Sequence, residues 1–343
     1  MENINIQECM KHYNVHGLSI TLINHGQISG TENFGLLEVG SDKSVNENTI
    51  FSACSISKFL TGMLVMRLSN QGLLDLDEDV NNRLVSWKVP ENDLTKNKRV
   101  TLRNLLSHQS GIKDPANSFG ELQSITSIPS LVELLEGKTP YCKVPIEVSY
   151  EPESEFDYSD AGFCIIQQLI EDVTRKPFYQ LMKELIFEPL KMGNSTLEMS
   201  IPVMDSEKFS CGHNKNGKLV DAKYPLYPYP AASGLWTTSL DLAKLVIELM
   251  DAIKEKSKVG ISSSAIKDMI SPQKGKGWVG LGVFLAGSEK EIEIQSLGWG
   301  VGFQSMMVAF PYLEKGAVVM TNAELGVHQM EGIIGEIYRT FVS

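Results

Sequence analysis

The chain has 343 residues, of which 42% are hydrophobic and 21% are charged, and its formal net charge at pH 7 is −11. This composition is typical of a globular protein with one large domain, or two that share a core, and excludes a disordered, fibrous or disulfide-dependent chain. The acidic balance argues against nucleic acid and anionic lipid as partners, because the longest basic cluster runs only from Lys96 to Arg99.

The sequence contains no membrane span or export signal that we can identify. The longest apolar candidate, Phe59 to Leu68, is interrupted by Arg67 and is far shorter than the roughly 18 residues a span needs. The first residues, MENINIQECMKHYNVHG, lack a basic leader followed by an apolar segment. We therefore expect a cytoplasmic protein, or an extracellular one if a leader has been removed.

The cysteines argue against two further classes of site. The chain has five of them, an odd number, with no C-x-x-C pair and no histidine at zinc-ligand spacing. A disulfide scaffold and a zinc site are both disfavoured. His12 and His16 are four residues apart, but a strand begins at once after them, which favours a surface pair over a metal site.

Strand patterns lie at both ends of the chain. Gly17 to Gly35 predicts a β-hairpin that turns at Asn24-His25-Gly26, and we expect the chain to start with it. Near the other end, QSMMVAF and GAVVMTN predict two strands separated by a turn at Pro311 to Lys315, and GVHQMEGIIGEIYRTF has helical periodicity. We expect the terminal strands to pair antiparallel in one sheet covered by the end helices.

Helical patterns dominate the middle of the chain, at Ser57 to Gln71, Leu102 to Ser107, Ala161 to Thr174 and Phe178 to Leu185. The stretch YPLYPYP, Tyr224 to Pro230, predicts an extended linker back to the sheet. The fold class is therefore α+β. We expect an α/β body with an antiparallel sheet from residues 1–50 and 231–343, and a mostly helical domain from residues 51–230. A site is expected in the cleft between them.

The pattern S-x-x-K is the one nucleophile signature that survives a search of the chain. No G-x-S-x-G elbow, phosphate-binding loop or NAD-type glycine motif is present. S-x-x-K begins at Ser55, Ser110, Ser264 and Ser271, but only Ser55 opens a long apolar helix, on which it and Lys58 face the same way. The helix N-terminus also favours an anion forming on a substrate. On this motif alone, a plain N-cap role for Ser55 stays open.

A serine nucleophile needs a base, and a lysine serves as one only if its pKa is lowered or another group shares the proton. Tyr158-Ser159-Asp160 precedes a predicted helix and would direct a tyrosine and an acceptor into the cleft. By itself this signal favours packing, because a tyrosine at a loop–helix junction more often packs than catalyses.

Six segments in one order resemble the serine β-lactamase and penicillin-binding-protein superfamily, and most closely its class C β-lactamase, DD-peptidase and esterase branch. They are FSACSISKFLTG, TLRNLLSHQSGI, YSDAGF, IFEPLKMGNSTL, AASGLWTTSLDLAKL and SLGWGVGFQS, and the resemblance runs from about residue 14 to the end. It implies a β-lactamase/transpeptidase-like fold, with an antiparallel sheet flanked by N- and C-terminal helices and an all-helical insert. It also implies a serine hydrolase that forms an acyl-enzyme and uses no metal or organic cofactor.

The resemblance also implies roles for particular residues. Ser55 matches the acylated nucleophile, Lys58 its lysine partner, and Tyr158 the tyrosine of the Y-x-N motif, which shares the base role. The third motif, usually K-T-G, H-x-G or W-x-G on the strand beside the site, is matched by Ser296-Leu297-Gly298. The backbone N–H of Trp299, beside that of Ser55, would hold the oxyanion.

Two positions depart from the family pattern. Asp160 replaces the usual asparagine, and Ser296 replaces a lysine, histidine or tryptophan. A charged Asp160 accepts but does not donate, and near Lys58 it raises the lysine pKa and shifts the base role to Tyr158. The site is then roughly two charge units more negative than a K-T-G/Y-x-N site. A protonated Asp160, or one turned away, stays open.

These features predict a hydrolase for a small neutral or cationic ester, amide or short peptide, with β-lactams as further candidate ligands. The alternatives are a penicillin-binding DD-carboxypeptidase or β-lactamase, and a penicillin-binding sensor module without turnover. His108 is interpreted as structural rather than catalytic, His213 as part of a loop bordering the cleft, and Trp236 as pocket or core.

Overall fold

The computed structural model of the protein describes residues 4–123, 128–199 and 206–342. The strands are β1 Gly17–Asn24, β2 Gln27–Gly35, β3 Phe51–Cys54, β4 Leu235–Thr237, β5 Phe284–Ala286, β6 Glu293–Gly300, β7 Phe303–Phe310 and β8 Lys315–Thr321. The α-helices are α1 Ile6–His12, α2 Ser57–Asn70, α3 Leu102–Leu106, α4 Leu131–Leu135, α5 Asp160–Thr174, α6 Phe178–Met182, α7 Glu188–Leu190, α8 Pro230–Ser233, α9 Ser239–Ile253, α10 Ser263–Met269 and α11 Ile333–Val342. A π-helical turn, Lys183–Phe187, joins α6 to α7.

A six-stranded sheet in the order β2-β1-β8-β7-β6-β5 forms the centre of the fold, and all its neighbouring strands are antiparallel. The terminal strands β1 and β8 pair directly, for example Ile20 with Val319. This confirms the predicted α+β class and the antiparallel pairing of the two ends of the chain.

Helices α1 and α11 lie on one face of the sheet. Their apolar residues, including Met10 and Ile337, share a buried cluster with Leu18 and Ile20 of β1. The expectation that the chain starts with the β-hairpin was wrong, because α1 precedes it. This helix is only seven residues long, is capped by Asn5, and is stabilised mainly by packing on the sheet.

Helix α2 lies in the interior and places the S-x-x-K pattern. Phe59, Met63 and Leu64 are fully buried, and α2 is apolar around nearly its whole circumference. Strands β3 and β4 pair with each other next to α2, Phe51 opposite Thr237. They lie where the sequence suggested boundaries between two domains, and that division stays a prediction. Among the described helices, none is both long and apolar enough to cross a bilayer.

Asp172 connects α5 to Val85 and Ser86, in the segment that follows α2. Its carboxylate accepts hydrogen bonds from the Val85 N–H (2.6 Å), the Ser86 N–H (2.9 Å) and hydroxyl (2.6 Å), and the Gln168 amide (3.1 Å). Burial raises the pKa of Asp172, but the hydrogen bonds from Ser86, Val85 and Gln168 outweigh it and hold the pKa below its ordinary value. The charged form is therefore favoured in the folded state.

We expect Asp172→Ala to lower the free energy of unfolding at pH 7 by about 2 to 4 kcal/mol, because it leaves buried N–H donors unpaired. The folded pKa is depressed, so this contribution is present above about pH 4 and is lost as the pH falls through the folded value. Urea unfolding at pH 7 and pH 3 measures both effects. Asp93→Ala, at a site with 90% side-chain exposure, is the matched control; an equal loss in both variants would contradict the assignment.

Candidate active site

A strained turn between β3 and α2 presents Ser55. Cys54 has φ of +48°, in the left-handed region that side chains disfavour. The Ser57 hydroxyl donates to the Cys54 carbonyl (2.6 Å) and accepts from the Leu235 N–H (2.9 Å), so the turn is tied to β4. The N-cap position of α2 is Ile56. Ser55 is therefore not the N-cap, and its hydroxyl is available for other contacts.

Lys58 is almost completely buried and uses all three of its donors. Its Nζ donates to Ser55 Oγ (3.2 Å), to Asp160 Oδ1 (2.5 Å) and to the carbonyl of Ala232 (3.1 Å). Burial lowers the pKa of Lys58, but the charge of Asp160 and the hydrogen bond to it raise the pKa well above its ordinary value. Lys58 is an ammonium at neutral pH.

Tyr158 completes a group of three with Ser55 and Lys58. It lines the same cleft as both residues, and Lys58 Nζ lies 4.7 Å from the centre of its ring. Desolvation of the hydroxyl raises the pKa of the Tyr158 phenol and the charge of Asp160 adds to this; the charge of Lys58 lowers the pKa, and the net direction is upward. Lys58 and Tyr158 thus stand beside the serine, and both are protonated at neutral pH.

His108 positions the tyrosine segment. Its ring stacks on that of Tyr158 at 4.3 Å, and its Nδ1 accepts the N–H of Ser159 (3.1 Å). Burial, together with the charge of Lys58, holds the pKa of His108 well below its ordinary value, so the imidazole is neutral. This arrangement agrees with a structural rather than a proton-transferring role.

Asp114 holds the N-terminus of α5 and was missed by the sequence analysis. Its carboxylate accepts from the Ser159 hydroxyl (2.8 Å), the Asp160 N–H (2.8 Å) and the Ala161 N–H (3.0 Å). An anion is favoured at a helix N-terminus, and here it fixes the segment that carries Tyr158 and Asp160. No local pattern connects positions 114 and 160, which only the fold brings together.

The group opens into a small cleft lined by Ser55, Lys58, His108, Tyr158, Gly282, Val283, Phe284, Ser296 and Leu297. The structure therefore brings four of the residues expected at the site, Ser55, Lys58, Tyr158 and Ser296, to one cavity. A fifth, Asp160, contacts Lys58. Val283 and Phe284 carried no signal in the sequence analysis.

Gly298 and Trp299 are not among the residues that line the cleft. A Cβ on Gly298 would lie 2.2 Å from both the Ala53 carbonyl oxygen and Ser305 Oγ, so only glycine lets β6 approach β3 this closely. The Trp299 side chain is 42% exposed, and its Nε1 donates to Glu324 (3.4 Å). The role of the Trp299 backbone N–H at an oxyanion stays a prediction.

Two other aromatic residues singled out in the sequence lie in the core. Trp236 is 1% exposed and packs edge-on against Phe303. His213 is fully buried rather than at the edge of the cleft: its Nδ1 donates to the Asn322 carbonyl (2.8 Å) and its Nε2 accepts the Val39 N–H (3.1 Å).

Within the described ranges, no three His, Cys, Asp or Glu side chains are grouped to hold a metal ion.

Known proteins share both the sequence pattern and the fold. A sequence model of the family described as Beta-lactamase matches residues 4–333. Protein flp of Staphylococcus aureus (strain MW2) is 22% identical over 326 residues, which are 92% of this chain; the chain spans 61% of that protein's length.

Among solved structures, the octameric penicillin-binding protein homologue from Pyrococcus abyssi has a TM-score of 0.76 and 22% identity, over 98% of this chain and 76% of that one. The D-alanine carboxypeptidase AmpC from Burkholderia cenocepacia has a TM-score of 0.73 and 19% identity, over 98% of this chain and 95% of that one. At these identities the two structures establish a shared fold.

The Asp114 carboxyl makes a pH-dependent contribution to stability. Burial and the charge of Asp160 raise its pKa to about 6, although the hydrogen bonds from Asp160, Ala161 and Ser159 lower it. Because the unfolded value is about 3.9, the stability from this raised pKa is present below about pH 4 and is lost as the pH rises through 6. Asp114→Asn does not titrate, so its stability deficit relative to the original protein should shrink by about 1 to 2 kcal/mol between pH 4 and 7. Urea unfolding across this range measures the difference, and a deficit independent of pH would refute the assignment.

Proposed function

The chain belongs to the Beta-lactamase family, and on that premise we propose that it is a serine hydrolase that cleaves a small ester or amide through an acyl-enzyme on Ser55. The observation that carries the proposal is the convergence of Ser55, Lys58 and Tyr158 at one cleft, with the serine just ahead of a buried helix. Nucleophile, proton acceptor and electrostatic support are the parts that acyl transfer requires.

In the proposed reaction, Ser55 Oγ attacks the carbonyl carbon and its proton passes to the phenolate form of Tyr158. The oxyanion is held by the backbone N–H groups of Ser55 and Trp299. When the carbon–leaving-group bond breaks, Tyr158 returns the proton to the leaving group. Water then attacks the acyl-enzyme with Tyr158 as base, which releases the acid and restores the Ser55 hydroxyl.

The division of labour between Lys58 and Tyr158 follows from the hydrogen bonds of the lysine. Lys58 is a protonated donor to Ser55 Oγ, and its other two N–H groups are directed to Asp160 and Ala232. A group in this state cannot accept the serine proton. We therefore assign proton transfer to Tyr158 and assign Lys58 the role of lowering the cost of forming a phenolate beside it.

The preferred substrate should be neutral or cationic. The Asp160 carboxylate stands where the related motif has a neutral amide, and the lysine at position 58 is already paired with it. Ser296 offers a hydroxyl at the edge of the cleft where related motifs place a cation or a large ring. A carboxylate on the substrate would thus meet no unpaired positive charge among the residues that line the cleft, and we expect it to be disfavoured.

We expect Ser55→Ala to reduce turnover of an activated ester by about a thousandfold or more, because the acyl-enzyme no longer forms. Intact-mass measurement after exposure to a fluorophosphonate should show one adduct per chain in the original protein and none in Ser55→Ala; an activated ester and penicillin are tested in parallel for any adduct that persists. Ser264→Ala is the matched control, since Ser264 also begins an S-x-x-K pattern but lies on α10, outside the cleft.

Two outcomes of this experiment would contradict hydrolysis. Adducts that persist in Ser55→Ala would assign the nucleophile elsewhere. A burst of one product equivalent without steady turnover would instead indicate a penicillin-binding module that is acylated but not regenerated.

The negative charge of Asp160 leads to a second prediction, on the pH dependence of kcat/KM. It raises the pKa of both Lys58 and Tyr158, so the base is available only at higher pH. Asp160→Asn should shift the acidic limb of the kcat/KM–pH profile downward by roughly one to three pH units. The same variant should narrow the preference for neutral or cationic esters over carboxylate-bearing ones. An unchanged limb, measured with one neutral ester from pH 5 to 10, would show that Asp160 does not control the base.

A further inference from the structure

A row of aromatic rings runs from the catalytic tyrosine to the protein surface. The rings of Tyr158 and Phe284 are nearly parallel at 6.4 Å, those of Phe284 and Trp278 are nearly parallel at 6.1 Å, and Phe156 meets Trp278 edge-on at 4.5 Å. We call Phe156, Trp278 and Phe284 the aromatic wall. Phe284 itself lines the cleft beside Ser55, so the wall begins at the reacting group.

Backbone contacts fix the wall relative to the nucleophile. Val279 pairs with Phe284, the Leu285 N–H donates to the Trp278 carbonyl (2.9 Å), and Phe284 in turn pairs with Gln295 of β6. Gly282, with φ of +76°, lies at the turn of this small hairpin, where a Cβ would come within 2.8 Å of the Lys58 carbonyl oxygen. The hairpin therefore sits directly on α2, the helix that follows Ser55.

An ion pair also connects the two chain segments that carry the wall. Lys274, in the loop before Trp278, forms an ion pair of 3.1 Å with Glu153, in the segment before Phe156. The wall is thus supported from the hairpin and from the tyrosine segment. A surface supported in this way is preorganised for a ligand.

Part of the apolar surface of the wall and of the adjacent Tyr158 is exposed to water. Trp278 is 46% exposed although two rings contact it, and Tyr158 is 38% exposed. Large aromatic surfaces exposed next to a cleft are typical of ligand contact rather than of folding, because a ligand that covers them recovers their hydrophobic free energy.

We propose that the aromatic wall is a substrate subsite that takes an aromatic or other bulky apolar group attached close to the scissile carbonyl. The proposal rests on the proposed function, since it places that group by reference to Ser55. The exposed faces belong to Trp278 and Tyr158, Phe284 between them is half-buried, and the three wall residues themselves carry no charge. Such faces bind a ring or branched chain by stacking and also tolerate a cationic amine.

The test compares esters with and without a ring. On the acyl side we would use trifluoroethyl phenylacetate against trifluoroethyl acetate; on the leaving-group side, phenyl acetate against trifluoroethyl acetate. Because each variant is compared with the original protein on the same ester, differences in intrinsic reactivity cancel. The arm that responds identifies which part of the substrate lies on the wall.

We expect Trp278→Ala to reduce kcat/KM for the ring-bearing ester of one arm by about tenfold, mainly through KM, and for its ring-free partner by less than about twofold. Because Phe284 lines the cleft, Phe284→Leu should lower both values, but that of the ring-bearing ester by about tenfold more. Phe284→Leu keeps apolar volume, so its loss reports the ring. Tyr312→Ala is the control, because Tyr312 is 43% exposed at the turn between β7 and β8. Equal losses on ring-bearing and ring-free esters, or no loss on either, would overturn the subsite.

A binding measurement keeps the subsite testable if no ester is turned over. Phenylacetamide should quench tryptophan fluorescence of the original protein and of Ser55→Ala at lower concentration than acetamide does, and Trp278→Phe should remove most of the quenching. Quenching without turnover would support the wall while the hydrolase proposal fails. Turnover without any preference for phenylacetamide would reject the wall and leave the hydrolase proposal intact.

Discussion

The buried ion pair between Lys58 and Asp160 is the constraint on which the chemistry of the site depends. An ammonium that is 3% exposed is stable only if an anion compensates it, and Asp160 does so at 2.5 Å. The remaining two donors go to Ser55 Oγ and the Ala232 carbonyl, so the lysine leaves no N–H unpaired. The pair therefore orients the serine while it removes the lysine from the set of available bases.

The anion that compensates Lys58 is itself held by a second carboxylate. Asp114 accepts the N–H groups of Asp160 and Ala161 at the start of α5, so two acidic side chains lie close to each other there. The helix N-terminus and its N–H groups favour this arrangement, and the raised pKa of Asp114 reflects its burial and the remaining repulsion from Asp160. Aspartate at position 160 thus changes more than one hydrogen bond, because its charge acts on Lys58 and on Asp114.

The parts of the fold set by local patterns could be predicted from the sequence. The terminal strands and the hairpin β1–β2 follow from alternation and turn residues. The S-x-x-K pattern singles out Ser55 and Lys58, whereas the role expected of Tyr158 came from the resemblance to a family. Asp114, by contrast, caps a helix 46 residues away, and Phe284 reaches the cleft only because the hairpin after Trp278 packs on α2. Contacts of this kind depend on tertiary packing, for which a single sequence carries no periodic signal.

Gly298 and Trp299 on β6 show the same dependence on tertiary packing, because the motif match alone did not indicate what surrounds them. Ser296 faces the cleft, but Gly298 serves the close approach of β6 to β3, and the Trp299 indole is directed to Glu324. A motif match identifies the strand beside the site. Ser296 and Gly298 lie on the same face of β6, and the close approach of β3 at Gly298 is why only Ser296 of the two lines the cleft.

The charges and the apolar surface at the cleft together indicate which substrates the proposed hydrolase would prefer. Of the residues lining the cleft, Lys58 alone is cationic, and its donors are occupied; His108 is neutral. A substrate carboxylate would therefore lose its hydration without gaining a partner, a loss that neutral esters and amides avoid. On the proposed function, affinity then comes from contacts other than charge, and the rings of Tyr158, Phe284 and Trp278 are the apolar surface that begins within the cleft. Contact with these rings, beside a lysine already neutralised by Asp160, would select substrates by shape and hydrophobic area rather than by a terminal carboxylate.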